Sequence, residues 1–98
     1  MKSALLTQQA ISDIDGAKAW YDMHGAGAQF VEQLEDTLTI ISGSPGLYPR
    51  IHKGVRRANL KRFPYALFYI VEDTGPLILG CLHHRRCPVA MVRRKIIS

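Results

Sequence analysis

The chain changes its hydrophobic period once, at Ser42-Gly43-Ser44-Pro45-Gly46. Before that stretch, apolar residues recur at helical spacing. After it they alternate or cluster as strands do. Glycine and proline together break a helix, so the stretch is a boundary. A chain with its helices first and its strands afterwards is not made of βαβ units and reads as α+β. With 98 residues there is room for one core, so residues 1–98 are expected to form a single domain in which the two halves pack on each other.

Thr7 is a candidate N-cap for a helix from Gln8 to about His24. Its apolar face is Ile11, Ile14, Ala17 and Tyr21, flanked by Ala10 and Trp20; Asp13, Asp15, Lys18 and Asp22 are assigned to the solvent side. Gly25-Ala26-Gly27 turns the chain into a second helix, about Ala28 to Ser42, with Phe30, Val31, Leu34, Leu38 and Ile41 on one face. So short a loop makes the pair an antiparallel helical hairpin. Residues 3–6 read as a short first strand and residues 47–54 as irregular chain. Val55 to Leu60 is a strand with basic decoration, Tyr65 to Glu72 the strongest strand, and Leu77 to His84 the next, after a turn at Asp73-Thr74-Gly75-Pro76. The short connections predict an antiparallel meander. Val89 to Val92 is either one more strand or the start of a loose basic tail over residues 93–98. The expected architecture is a short N-terminal strand and a helical hairpin on one face of a small antiparallel sheet, the other face left free for function.

The charge is unevenly placed. Residues 1–49 carry two basic and six acidic side chains, a net of −4. Residues 50–98 carry eleven basic and two acidic, a net of +9. A positive half of this kind suits an acidic partner, either nucleic acid or an acidic protein, although a solvated basic face would also serve solubility. No apolar run is long enough to span a membrane, and the first residues do not read as a signal peptide. The expected location is the cytoplasm, where the two cysteines would be free thiols.

The densest chemistry lies in Gly80-Cys81-Leu82-His83-His84-Arg85-Arg86-Cys87-Pro88. A metal site is the weakest reading of it. Adjacent strand residues face opposite ways, so His83 and His84 would not share an ion, and Cys81, His83 and Cys87 would give at most three ligands beside two repelling arginines. No metal and no cofactor is expected. The segment reads instead as a strand that ends in a basic corner.

Several motifs in order resemble the RelE/ParE toxins of bacterial toxin–antitoxin pairs. They are Ala10-x-x-Asp13-Ile14, Trp20-Tyr21, Gly25-x-Gly27, Phe30 and Leu34, then Val55-Arg56-Arg57, Arg62-Phe63-Pro64-Tyr65, Phe68-Tyr69 and His83-x-Arg85-Arg86-x-Pro88. The resemblance spans residues 4 to 88. It implies a growth-inhibiting toxin, of the kind tied to plasmid stabilization. A cognate antitoxin would wrap it with an extended and a helical segment, in a hetero-oligomer.

The superfamily divides by mechanism. One branch, similar to RelE and YoeB, cuts messenger RNA on the ribosome; the other, ParE-like, inhibits DNA gyrase. Cleavage by a neighbouring 2′-hydroxyl needs a base, a cation for the phosphorane and an acid for the leaving oxygen. The RNA-cutting branch places an arginine in the central strand where this chain has Ala66, and often a tyrosine near the last strand, where this chain has none after Tyr69. These departures favour the ParE-like branch, with gyrase as target and no chemistry. The alternative, a ribosome-dependent mRNA endonuclease, would rely on His84 with Lys53, Arg57, Lys61, Arg62 and Arg85 as cations. A non-toxic basic nucleic-acid-binding module is a third reading. The surface expected to meet a partner is Arg56, Arg57, Arg62, His83, His84, Arg85 and Arg86. Cys87 replaces the acidic residue common in the family, which deprives Arg85 and Arg86 of a local partner.

Overall fold

A computed structural model describes residues 3–85 and 91–94. The order is β1 (Leu5–Leu6), α1 (Gln8–Met23), α2 (Gly27–Gly43), β2 (Arg50–His52), β3 (Val55–Asn59), β4 (Tyr65–Glu72) and β5 (Gly75–His83). The strands form one five-stranded sheet in the order β1-β5-β4-β3-β2. Strands β2 to β5 make the expected antiparallel meander. The sheet is nonetheless mixed, because β1 lies parallel to β5 with Leu5 beside Leu77 and Leu6 beside Ile78. Two residues are too short to show a period, so their pairing was invisible in the sequence. β2 also forms within chain read as irregular. Its two-residue loop, Lys53-Gly54, has positive φ at both positions (44° and 83°), as a tight right-twisted hairpin demands.

Thr7 caps α1, its hydroxyl accepting the Ala10 N–H at 3.1 Å. The hairpin buries Ala10, Ala17, Phe30, Leu34 and Ile41 against Ala58, Leu67, Tyr69, Ile78 and Cys81 of the sheet. Phe30 is fully enclosed, and its truncation to alanine in such a setting costs about 3–5 kcal/mol. The expected stripe on α1 needs correction at both edges. Ile11 is 39% and Trp20 54% exposed, whereas Asp13 turns inward to the sheet.

The second face of the sheet is not wholly free. Val55, Ala66, Phe68, Ile70 and Leu79 form another apolar cluster there, and Met91 is buried in it. Residues 91–94 are helical. The described part of the expected strand or loose tail is therefore helical and docked; residues 89 and 90 lie outside the described residues.

Candidate functional site

The basic corner is set by the end of β5. Tyr65 is paired with His83 across the sheet, and the His84 N–H continues to the Pro64 carbonyl at 3.0 Å. β5 stops at His83 and a turn follows. Strand alternation therefore does not carry on to the next residue. The two imidazoles lie side by side, centroids 4.8 Å apart, and the expectation that they face opposite ways is wrong for this reason. His83 Nδ1 accepts the Arg85 N–H at 3.2 Å, which leaves its proton on Nε2 when the ring is neutral. Arg57, from β3, donates to the His84 carbonyl at 3.4 Å. The His84 imidazole is pushed below its ordinary 6.5 by desolvation, then by His83, Arg85 and Arg57. A neutral ring among cations can accept a proton or a hydrogen bond.

The structure brings Arg57, His83, His84 and Arg85 together and places Lys53, Arg56, Lys61 and Arg62 elsewhere. Arg56 points to the helical side of β3 and donates to the Tyr48 carbonyl at 2.6 Å and that of Gly46 at 3.4 Å. It clasps the loop before β2, a local structural task. Lys61 lines a small pocket of about 120 Å³ with Asp36, Thr37 and Tyr48 beside α2. Arg62 is exposed in the loop after β3 with φ 67°, a left-handed conformation that is costly without a glycine. Lys53 sits at the tip of the β2–β3 hairpin. Arg86 and Cys87 lie outside the described residues.

The floor beside this corner is apolar. Ala66 lies between Asn59 of β3 and Leu82 of β5 and is fully buried in the cluster that Met91 joins. Cys81 offers no reactive sulfur, since burial, then Asp13, pushes its thiol up to about 12. Among the described residues no group of three or more His, Cys, Asp or Glu is arranged to hold a metal ion. Among them also, no helix is long and apolar enough to cross a membrane.

Two features were not legible in the sequence. Asp13 Oδ2 accepts the Cys81 N–H at 3.0 Å and Arg94 Nη1 at 2.6 Å, while the same Arg94 nitrogen donates to the Leu79 carbonyl at 3.1 Å. β1 covers β5 only as far as Ile78, and Leu79 is the extra residue of a bulge opposite Phe68 and Tyr69. The ion pair thus takes the place of a missing neighbouring strand. Gly80 leaves the space it needs: a Cβ there would collide with Arg94, Met91 and Asp13. The second feature is an open groove of about 550 Å³ between α1 and the β4–β5 end, with Trp20, Tyr21 and Tyr65 in its walls. No sequence signal marked it, because Trp20 reads there as a flank of the apolar face.

The comparisons with known proteins agree with this geometry. No curated protein sequence matches the chain. The fold matches the structure titled "Chromosomal ParDE TA system from P. aeruginosa" with TM-score 0.71 and 19% identity, over 85% of this chain and 96% of that one. It also matches the isolated E. coli RelE toxin with TM-score 0.62 and 18% identity, over the whole of both chains. Residues 4–88 match the family described as "ParE toxin of type II toxin-antitoxin system, parDE". That match covers most of the sequence, and the chain belongs to this ParE family of toxins.

Proposed function

We propose that this chain is held inactive by an acidic antitoxin and that, once released, it inhibits DNA gyrase by contact and not by bond-making. The observation that carries the choice of target is Ala66. The RNA-cutting relatives it resembles place an arginine at this position. Here a methyl group is fully buried, in a cluster shared with Met91. A methyl group cannot stabilise a phosphorane, and the packed floor leaves no opening for a substrate phosphate to approach it. The +9 half of the chain supplies attraction to acidic surfaces. Under this reading the protein acts in the cytoplasm.

One observation favours the second reading, a ribosome-dependent mRNA endonuclease. His84, with its lowered pKa, stands beside Arg57 and Arg85, a base with two cations. The test is paired. Purified protein is added to gyrase with supercoiled DNA, and separately to translating ribosomes with a defined message. Trapped, cleaved DNA with intact message supports the gyrase reading. Message cut by the wild type and spared by His84→Ala overturns it, since loss of a general base costs about 10²–10⁴ in rate. Under the gyrase reading His84→Ala lowers toxicity only in part, and Arg85→Glu with Arg86→Glu lowers it further by making the corner repel what it attracted.

A further inference from the structure

We propose that the corner at the end of β5 is a proton-linked site for a phosphodiester group of the DNA backbone. Arg57, His83 and Arg85 hold the phosphate, and His84 takes up a proton as it binds. This rests on the gyrase reading above, since the DNA in question is the segment that gyrase holds.

The charge of the corner is unanswered within the chain. Arg57 comes from β3, His83 from β5 and Arg85 from the turn that follows. Among the described residues no carboxylate is ion-paired with any of these three or with His84. Arg57 already gives one nitrogen of its fork to the His84 carbonyl. A planar carboxylate is best met by a whole guanidinium fork. The corner instead offers single donors from two strands and a turn, which suits the several oxygens of a tetrahedral phosphate.

The ring nitrogens assign the proton. His83 Nδ1 accepts the Arg85 N–H at 3.2 Å, so a proton placed there would break the bond that closes the turn. Its Nε2–H is left to donate outward. His84 bonds through its backbone, to Pro64 and Arg57, and its ring is available. The groups that face it are His83, 4.8 Å away between ring centroids, with Arg85 and Arg57. Tyr65 of β4 lies against His83, at 6.2 Å. Desolvation, then these neighbours, keep the His84 pKa below 6.5. An anion among them offsets the repulsion and raises that pKa. By linkage, a proton on His84 tightens phosphate binding by the same factor.

The test uses the whole chain and a short blunt DNA duplex at one fixed, low salt concentration. The Kd should fall as pH is lowered from about 8 to about 6, by at most about tenfold per unit for one proton. Histidine NMR should place the added proton on His84. His84→Gln, folded by circular dichroism, should bind with a nearly flat pH profile, while His52→Gln on β2 should keep the wild-type slope. A flat wild-type profile, or a slope that survives in His84→Gln, overturns the site. Poly-glutamate that displaces the duplex with the same pH slope overturns the phosphate assignment in favour of an acidic protein. The gyrase assay separates the two readings. Proton-linked DNA binding by a protein that leaves gyrase untouched overturns the gyrase reading and leaves the site standing; gyrase inhibition without such binding does the reverse.

Discussion

Replacing Asp13 with alanine removes one carboxylate that serves two donors 68 and 81 residues away in sequence. The Cys81 N–H loses its acceptor, and Arg94 loses its partner while still resting on the Leu79 carbonyl. Side-chain exposure is 20% for Arg94 and 15% for Asp13, so the pair is largely but not fully out of water. Charge-assisted hydrogen bonds contribute about 1.5–3 kcal/mol each, and a fully buried pair costs about 3–5 kcal/mol to break. Water can reach the freed arginine here. The expected loss is therefore about 2–3 kcal/mol, near the lower part of those ranges. In a domain of this size that lowers Tm by about 10–20 °C. The assay is urea unfolding of the wild type, Asp13→Ala, Arg94→Ala and the double variant. The midpoint should fall with the slope unchanged, and the coupling should be at least about 1 kcal/mol. Amide exchange at Cys81 should speed up in Asp13→Ala more than at Leu67 on the neighbouring strand. A loss below about 0.5 kcal/mol, or a coupling near zero, would refute the idea that this ion pair stands in for a strand.

Tyr69→Phe should cost about 1 kcal/mol, because its hydroxyl donates to the Pro45 carbonyl at 2.7 Å and ties the end of α2 to the sheet; a change within error in the melting curve would count against that tie. His84 should titrate below 6.5 by NMR, and Arg57→Gln should raise its pKa, since Arg57 is among the groups that lower it. The linked stability has a definite sign: a folded-state pKa below the unfolded one leaves the His84 contribution intact above about 6.5 and removes it as pH falls through the folded value. A His84 titration at or above 6.5 contradicts the geometry of the corner. Association with the antitoxin should slow several-fold as salt rises while dissociation changes little; an on-rate indifferent to salt defeats the charge argument.

The helical hairpin and the meander were readable because their signals are local and periodic. Tyr65 to Glu72 was recovered to the residue, as β4, and Thr7 was found as a cap because capping is written in a single side chain before an apolar period. The errors share a cause. β1 was expected as a short strand, but its parallel pairing is set by its partner Leu77–Ile78 and not by its own two residues. Asp13 was assigned to solvent because a helical wheel knows nothing of a strand edge that lies open above it. Arg94 was assigned to a loose tail because a run of basic residues usually is one, while its true acceptors, Asp13 and the Leu79 carbonyl, come from distant chain.

The basic corner shows the same division on a smaller scale. The expected strand does end beside charged residues, with β5 stopping at His83, while residues 86–88 lie outside the described residues. What composition could not announce was the sorting of the arginines. Arg56 and Arg57 are neighbours in sequence, yet the pleat sends them to opposite faces of β3. Arg56 there clasps the Tyr48 carbonyl, and Arg57 supports His84. Two residues that look interchangeable thus carry different loads: removing Arg56 loosens a loop, whereas removing Arg57 changes the electrostatics of the corner. Period two was legible throughout; which face each parity would meet depended on Tyr69 and Phe68 across the strand, and hence on the whole sheet.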